Sequence, residues 1–299
     1  MREYHEGETA VQERAGVRDA AEGLRGMFKR QIPRGAARFL YDRRFIVLGF
    51  VDGEGRVWSG WLTGPRGFLI PRDDRTLLIA SAPLMGDPLH EALTNETALG
   101  TLVINPALRQ RMRFNGVGRL TEDGVELRVH ECFGNCPKFI QKRHVHEREA
   151  STERAGRFVA ANELSASQQE WIAAADTFYI ASVHAGNGAD ASHRGGMPGF
   201  TRVEADGTIL FPDYDGNNMF LTLGNIQRDP RVGLLFGDFQ GGGALRVSGR
   251  ARLLWDDPRQ ASFPGARRLI EVTPERVIES TGEVGLAWEL EEYSPFNPR

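Results

Sequence analysis

ADASHRGGMPGFTRV (189–203), followed closely by GTILFPDYDGNNMFLTLGN (207–225), is the stretch whose reading decides the fold. Gly195, Gly196 and Gly199 let a backbone pass close to a ligand, with amide groups turned toward an anion. Arg194 offers a planar fork of donors suited to phosphate, His193 adjoins it, and Met197, Pro198 and Phe200 complete the loop. A tight glycine turn with a solvated Arg194 accounts equally well for the loop taken alone. The second element shifts the balance. Pro212, Asp213 and Tyr214 end an apolar run, and Gly216, Asn217, Asn218 and Met219 open a helical one. The amides of residues 216–219 are thus expected at a positive helix end, where phosphate binds readily.

Working outward, the chain repeats itself at an offset of 132 to 133 residues. Phe45, Gly53, Gly55 and Ser59 fall on Phe178, Gly186, Gly188 and Ser192, and Gly64, Gly67 and Phe68 fall on Gly196, Gly199 and Phe200. Further on, Gly100, Leu102, Arg113, Gly116 and Arg119 match Gly233, Leu235, Arg246, Gly249 and Arg252. A chance alignment in a glycine-rich chain is the alternative, and the matching of glycines at equivalent turns favours duplication.

Each copy reads as short strands bounded by Gly, Asp and Pro; in the first they are 45–51, 67–71, 76–81, 99–104, 111–120 and 125–130. A short helix interrupts each copy, over 87–95 and 218–228. Residues 10–29 read as a leading amphipathic helix, and Ser165 as the N-cap of a helix over 165–175. KRHVHEREASTERAG, 142–156, is charged and nearly free of apolar residues, and reads as a linker. The expected organisation is a helical segment over 1–36, a first unit over 37–141, a linker over 142–164 and a second unit over 165–299.

Composition narrows the function. A chain of 299 residues with 40% apolar and 26% charged residues suits two soluble cores. No run is long and apolar enough to span a bilayer and the charged start lacks a signal-peptide core, so a cytoplasmic protein without membrane partners is expected. A net charge of -3 argues against nucleic acid. Cys132 and Cys136 are the only cysteines, and with His130, His144 and His146 they complete no zinc-finger spacing. Neither a Gly-x-Ser-x-Gly elbow nor a His-Glu-x-x-His motif is present, and GNGADAS at 186–192 opens no helix as a dinucleotide fingerprint would.

The segment from DASHRGGMPGFTRV through PDYDGNNMF to DPRVGLLF (229–236) and LRVSGRARL resembles the FMN-binding core of the pyridoxamine 5'-phosphate oxidase-like superfamily. The resemblance implies a mainly β protein of two tandem FMN-binding split β-barrels with flanking helices. It implies that Arg194 takes the role of the phosphate-binding arginine and that Pro212, Asp213 and Tyr214 line the isoalloxazine or ribityl chain. Asn217 and Asn218 stand where the oxidase has an arginine and a lysine, so the missing charge must come from Arg194, Arg202 or elsewhere. ECFGNCPKFIQKR, 131–143, resembles a stretch of flavin-nucleotide-binding proteins in the same superfamily, which brings in Asn135, Cys136 and Lys138, the last as a further cation; small buried cysteines in a turn are the alternative.

In the first copy, ASAPLMG (80–86) replaces the residues equivalent to 212–218 and Leu62 stands near the position of Arg194, so that copy is expected to wall one site rather than hold its own. The pairing is then either within a monomer or supplemented by a homodimer. The resemblance implies an FMN-dependent oxidoreductase acting on a small molecule, with NADH or NADPH binding transiently over the flavin. A non-catalytic FMN or haem carrier, or an electron-transfer subunit, is the alternative.

Overall fold

The computed structural model describes residues 2–148 and 156–298. The first sheet comprises β1 (Phe45–Val51), β2 (Val57–Thr63), β3 (Leu69–Pro71), β4 (Thr76–Ile79), β5 (Thr97–Asn105), β6 (Gln110–Thr121) and β7 (Gly124–Asn135). All neighbours are antiparallel, in the order β2-β1-β5-β6-β7-β4-β3. After β8 (Lys142–Glu147) and β9 (Arg157–Ala161), a second sheet is built from β10 (Thr177–His184), β11 (Gly188–Gly195), β12 (Arg202–Val203), β13 (Ile209–Asp213), β14 (Arg231–Gly237), β15 (Ala244–Leu254) and β16 (Arg268–Thr281). Its order, β11-β10-β14-β15-β16-β13-β12, is that of the first sheet strand for strand. β9 adds to β16, and β17 (Leu286–Glu292) pairs with β8. The molecule is therefore mainly β, with two split-barrel sheets in tandem.

The same bulge interrupts both long hairpins. The register of β6 on β7 shifts between Asn115 and Gly116, and that of β15 on β16 between Ser248 and Gly249. A Cβ on Gly116 would lie 1.9 Å from the carbonyl oxygen of Arg128, and one on Gly249 would lie 2.2 Å from that of Thr273. Only glycine fits a backbone approach of this kind.

Apolar residues fill three layers. Ile46, Leu48 and Phe50 of β1 point into the first sheet's own core, and Phe178 and Ile180 of β10 into the second's. Phe45 and Val47 on the other face of β1 meet Tyr179, Leu235 and Trp288 between the sheets. Burial on both faces explains why these strands read as continuous apolar runs rather than alternating ones. Gly100 and Gly233 stand where the two sheets touch: added Cβ atoms would lie 2.4 Å from the Cα of Asp190 and 2.5 Å from that of Trp58.

Among the described residues, six α-helices flank the sheets: α1 (Glu6–Arg14), α2 (Arg18–Glu22), α3 (Ala36–Tyr41), α4 (Pro88–Ala92), α5 (Ala166–Ala174) and α6 (Leu221–Arg228). Ser165 caps α5 through a capping box, as its position suggested. The single leading helix expected over 10–29 is instead broken in two. α1 starts earlier, capped by His5, and ends where Gly16 takes a left-handed conformation at φ 70°. α1 then packs on α6, with Gly7 facing Gly224 closely enough that a Cβ would lie 2.2 Å from the Gly224 carbonyl oxygen.

The segment expected to be a linker carries strands at both ends. In β8, Arg143 turns inward to bond both carboxylate oxygens of Asp176 at 2.7 Å, and Val145 packs toward Trp288, while His144 and His146 face solvent. An alternation whose inward member is an ion-paired arginine does not register as an apolar period, which is why the charged composition misled. Residues 149–155 lie outside the described residues.

Candidate binding cleft

A cleft opens where the end of β11, the β13–α6 turn and the segment after β7 meet. Its narrow interior is about 100 Å³, within an envelope of about 800 Å³ that reaches the open mouth. β11 contributes Ser192, His193, Arg194 and Gly195; β13 and the turn contribute Pro212, Asp213, Tyr214, Gly216, Asn217 and Asn218; Asn135, Cys136 and Lys138 come from the first half, and Phe200 closes the floor. The sequence motifs, more than fifty residues apart, are brought together.

Five of the expected residues stay outside. Gly196, Met197, Pro198 and Gly199 do not line the cleft, and the amides of Gly196 and Gly199 bond the carbonyls of Asp176 and Ala173 instead of facing an anion. Met219 is 1% exposed and packs with Tyr4, Phe28 and Phe133. The helix also begins later than expected: α6 starts at Leu221, so the amides of Leu221, Thr222 and Leu223 occupy its first turn. Arg202 is turned away, bonding the Ser262 hydroxyl and carbonyl, and supplies no charge here.

Sequence reading missed the cations delivered by β6. Arg111 and Arg113 project from one face of that strand into the cleft. Arg113 is neutralised: its Nη1 donates to Asp190 Oδ1 at 2.6 Å and its Nη2 to Ser192 Oγ at 2.6 Å, and Ser192 in turn meets Thr222 Oγ1 at 2.8 Å. Arg194 is tied to Asp213 at 3.1 Å, and Arg268 approaches the other oxygen of that carboxylate at 3.4 Å. Burial pushes Asp213 up, against the pull of Arg194 and Arg268. Arg111 is different. It donates to the Cys136 carbonyl at 2.9 Å and approaches the Cys136 thiol at 3.6 Å, with no carboxylate partner among the described residues. Burial lowers its pKa to about 10, which leaves it charged at neutral pH.

Several buried polar atoms here have no hydrogen-bond partner: Nε of Arg194, Nε of Arg113, Nδ1 of His193, Oδ1 of Asn135 and Oδ2 of Asp213. Unpaired buried groups are costly, so their concentration in one cleft points to a polar occupant. His193 is held well below the ordinary histidine pKa by burial and by Arg111, Arg143 and Arg194, and is neutral. The backbone carries strain at the same place. Phe139, Asn218 and Phe220 have φ of 66°, 61° and 56°, and for a phenylalanine this conformation is costly. Phe139 lays its carbonyl over Gly195, where a Cβ would lie 2.1 Å away, and its ring lies 5.1 Å from that of Tyr214.

An anion-receptive cleft at the end of a split-barrel sheet is what fold and site define. Residues 164–281 match the model of the pyridoxamine 5'-phosphate oxidase family, so this part of the chain is similar to that family. Similar solved structures include HupZ of Group A Streptococcus, 15% identical, covering 38% of this chain and 92% of that one with a TM-score of 0.31. The FAD binding protein from Mycobacterium smegmatis is 17% identical, with 40% and 99% covered and a TM-score of 0.30. A FAD-binding protein from Mesorhizobium loti is 12% identical, with 42% and 98% covered and a TM-score of 0.30. No curated protein matches the chain.

Proposed function

We propose that this chain is an FMN-binding flavoprotein that uses a single cleft between a duplicated pair of units, 37–141 and 165–299, as an oxidoreductase of small molecules. The observation that carries the reading is Arg111: a charged, half-buried guanidinium without a carboxylate among the described residues, brought from the first half to face Arg194 and the start of α6 in the second. The narrow interior would take the phosphate, and Phe139 and Tyr214 would line the flavin ring. FMN, when bound, supplies the redox chemistry. The chain's own groups hold the phosphate, exclude water on the Phe200 side and offer the neutral His193 as a hydrogen-bonding partner.

The test is the spectrum of the purified protein and its affinity for FMN against riboflavin. Bound yellow flavin and a clear preference for FMN support the phosphate site; equal affinity for both removes it. Anaerobic NADH or NADPH then separates two activities. Bleaching of the flavin band supports a reductase. Its absence supports a non-catalytic flavin or haem carrier, a reading favoured by the Tyr214 hydroxyl, which burial pushes up to about 12 and makes a poor proton donor. No helix among the described residues is long and apolar enough to cross a membrane, and a cytoplasmic location is part of this proposal.

A further inference from the structure

A second cleft, about 960 Å³, lies between the N-terminal segment, the β6–β7 hairpin and the β10–β11 turn. Its charge is lopsided. Lys29, Arg30, Arg75 and His130 stand on its rim, all exposed, and none of them has a carboxylate partner among the described residues. Arg128 is held only loosely, 3.8 Å from Glu96. The two acids that line the cleft do not balance this rim. Glu131 is bound by Arg2 at 2.6 Å, and Glu3 is only 4.0 Å from Arg25. In a chain with a net charge of -3, the three unpaired cations Lys29, Arg30 and Arg75 around one cavity are a local positive field, which such a concave site focuses.

The floor is polar and apolar in turn: Asn115 and the bulge at Gly116 lie beside Val117, Val129 and Phe28. A layer of paired side chains separates this cleft from the first one. Asn115 Nδ2 approaches Asp190 Oδ1 at 3.5 Å and Glu131 at 3.4 Å, while Arg113, which lines the first cleft, donates to the same Asp190 oxygen at 2.6 Å. An occupant of the second cleft therefore cannot touch a molecule in the first.

We propose that this cleft is a second ligand site, for a phosphorylated small molecule of nucleoside-diphosphate size. The volume admits a ligand of that class, the apolar patch of the floor suits a base, and the guanidinium groups of Arg30 and Arg75 suit its phosphates. The site goes beyond the flavin reading and does not depend on it.

The experiment is calorimetric titration of the full chain, with and without added FMN, with pyrophosphate and with ADP in sulfate-free buffer. One binding site per chain is expected, with ADP tighter than pyrophosphate. Because Arg30 and Arg75 are exposed, the Arg30→Ala/Arg75→Ala double variant should fold, bind pyrophosphate roughly tenfold or more weakly, and keep its FMN affinity. Absence of heat with either ligand overturns the proposal, as does binding that survives the double variant. Competition with FMN would place the anion in the first cleft and overturn it too. Tighter binding of an oligonucleotide or an acidic peptide than of ADP, or rim-dependent self-association of the chain, would assign the rim to a macromolecule instead.

Discussion

Arg246 reaches from β15 of the second sheet to Asp87 at the start of α4 in the first, its Nη2 donating to Asp87 Oδ2 at 3.0 Å with the guanidinium fully buried. Glu283 closes on the same nitrogen, and the ring of Phe158 lies 5.7 Å from the guanidinium carbon. Arg246 stands three residues before the bulge at Gly249, as Arg113 stands three before that at Gly116. The two arginines thus occupy corresponding places, and each is buried against carboxylates of the chain itself, Asp190 for Arg113 and Asp87 with Glu283 for Arg246.

One flavin per chain is expected, not two, because ASAPLMG (80–86) replaces the equivalents of 212–218 in the first copy and Leu62 stands near the place of Arg194. Absorbance of the reconstituted protein against its concentration should give a ratio near one, and a ratio near two would show that the corresponding place also opens.

Removing Arg246 leaves Asp87 and Glu283 buried together without their cation. Arg246→Ala is expected to destabilise the fold by roughly 3–5 kcal/mol in urea denaturation, the range for stripping a partner from a buried ion pair. Flavin affinity per folded molecule should be unchanged, because Arg246 does not line the binding cleft. A loss below about 1 kcal/mol, the range of an exposed pair, would contradict the burial.

Gly100 and Gly233 set the spacing between the sheets. Gly100→Ala places a methyl group against the Asp190 backbone, which no side-chain rotation can relieve. Overpacking of this kind costs about 1–3 kcal/mol or more. A thermal melt should show the loss, whereas Gly285→Ala, where a Cβ meets nothing within 4 Å, serves as the control.

The phosphate reading separates the arginines from the rest of the cleft. Arg111→Ala and Arg194→Ala should each weaken FMN binding roughly ten- to hundredfold, the worth of a charge-assisted hydrogen bond, and leave riboflavin binding nearly unaltered. Both losses should exceed that of Trp58→Ala. Lys138 is half-buried and its hydrogen bond among the described residues goes to the Asp215 carbonyl at 3.3 Å rather than into the cleft, so Lys138→Ala should have a smaller effect. Fluorescence quenching by either flavin reads all four.

His193 gives a pH dependence. Its folded pKa lies well below the ordinary value near 6.5, so above that pH neither folded nor unfolded chain carries the proton and stability is unaffected. As pH falls below about 6.5, the unfolded chain takes up a proton that the folded one refuses, and stability declines. His5, pushed down to about 4 by burial and by His184, acts in the same direction; Glu8, pushed up to about 7 by burial, opposes it. The comparison that isolates His193 is the urea midpoint at pH 7.5 and at pH 5.5: His193→Gln should lose less than the parent chain. An equal loss would mean that the imidazole is not held neutral.

Much of this molecule is local and was legible as such. Phe45–Val51 forms the expected strand, Ser165 caps the expected helix, and the glycines shared at the 132–133 offset fall on bulges and sheet contacts, because strand patterning, caps and positive-φ turns depend on neighbouring residues. Other features have no local signature. β2, with Trp58 and Trp61 buried, escaped notice between glycine turns, and β8 looked like a linker because its inward residue is an arginine whose partner, Asp176, lies more than thirty positions on. The arrival of Arg111 beside Arg194 depends on two sheets meeting face to face across glycines, and only that packing decided which cations stayed paired and which was left to meet a ligand. The sequence by itself determined the strands and their turns; the tertiary structure decided the charge inside the cleft, since burial and long-range pairing, not residue type, fix which groups remain unsatisfied.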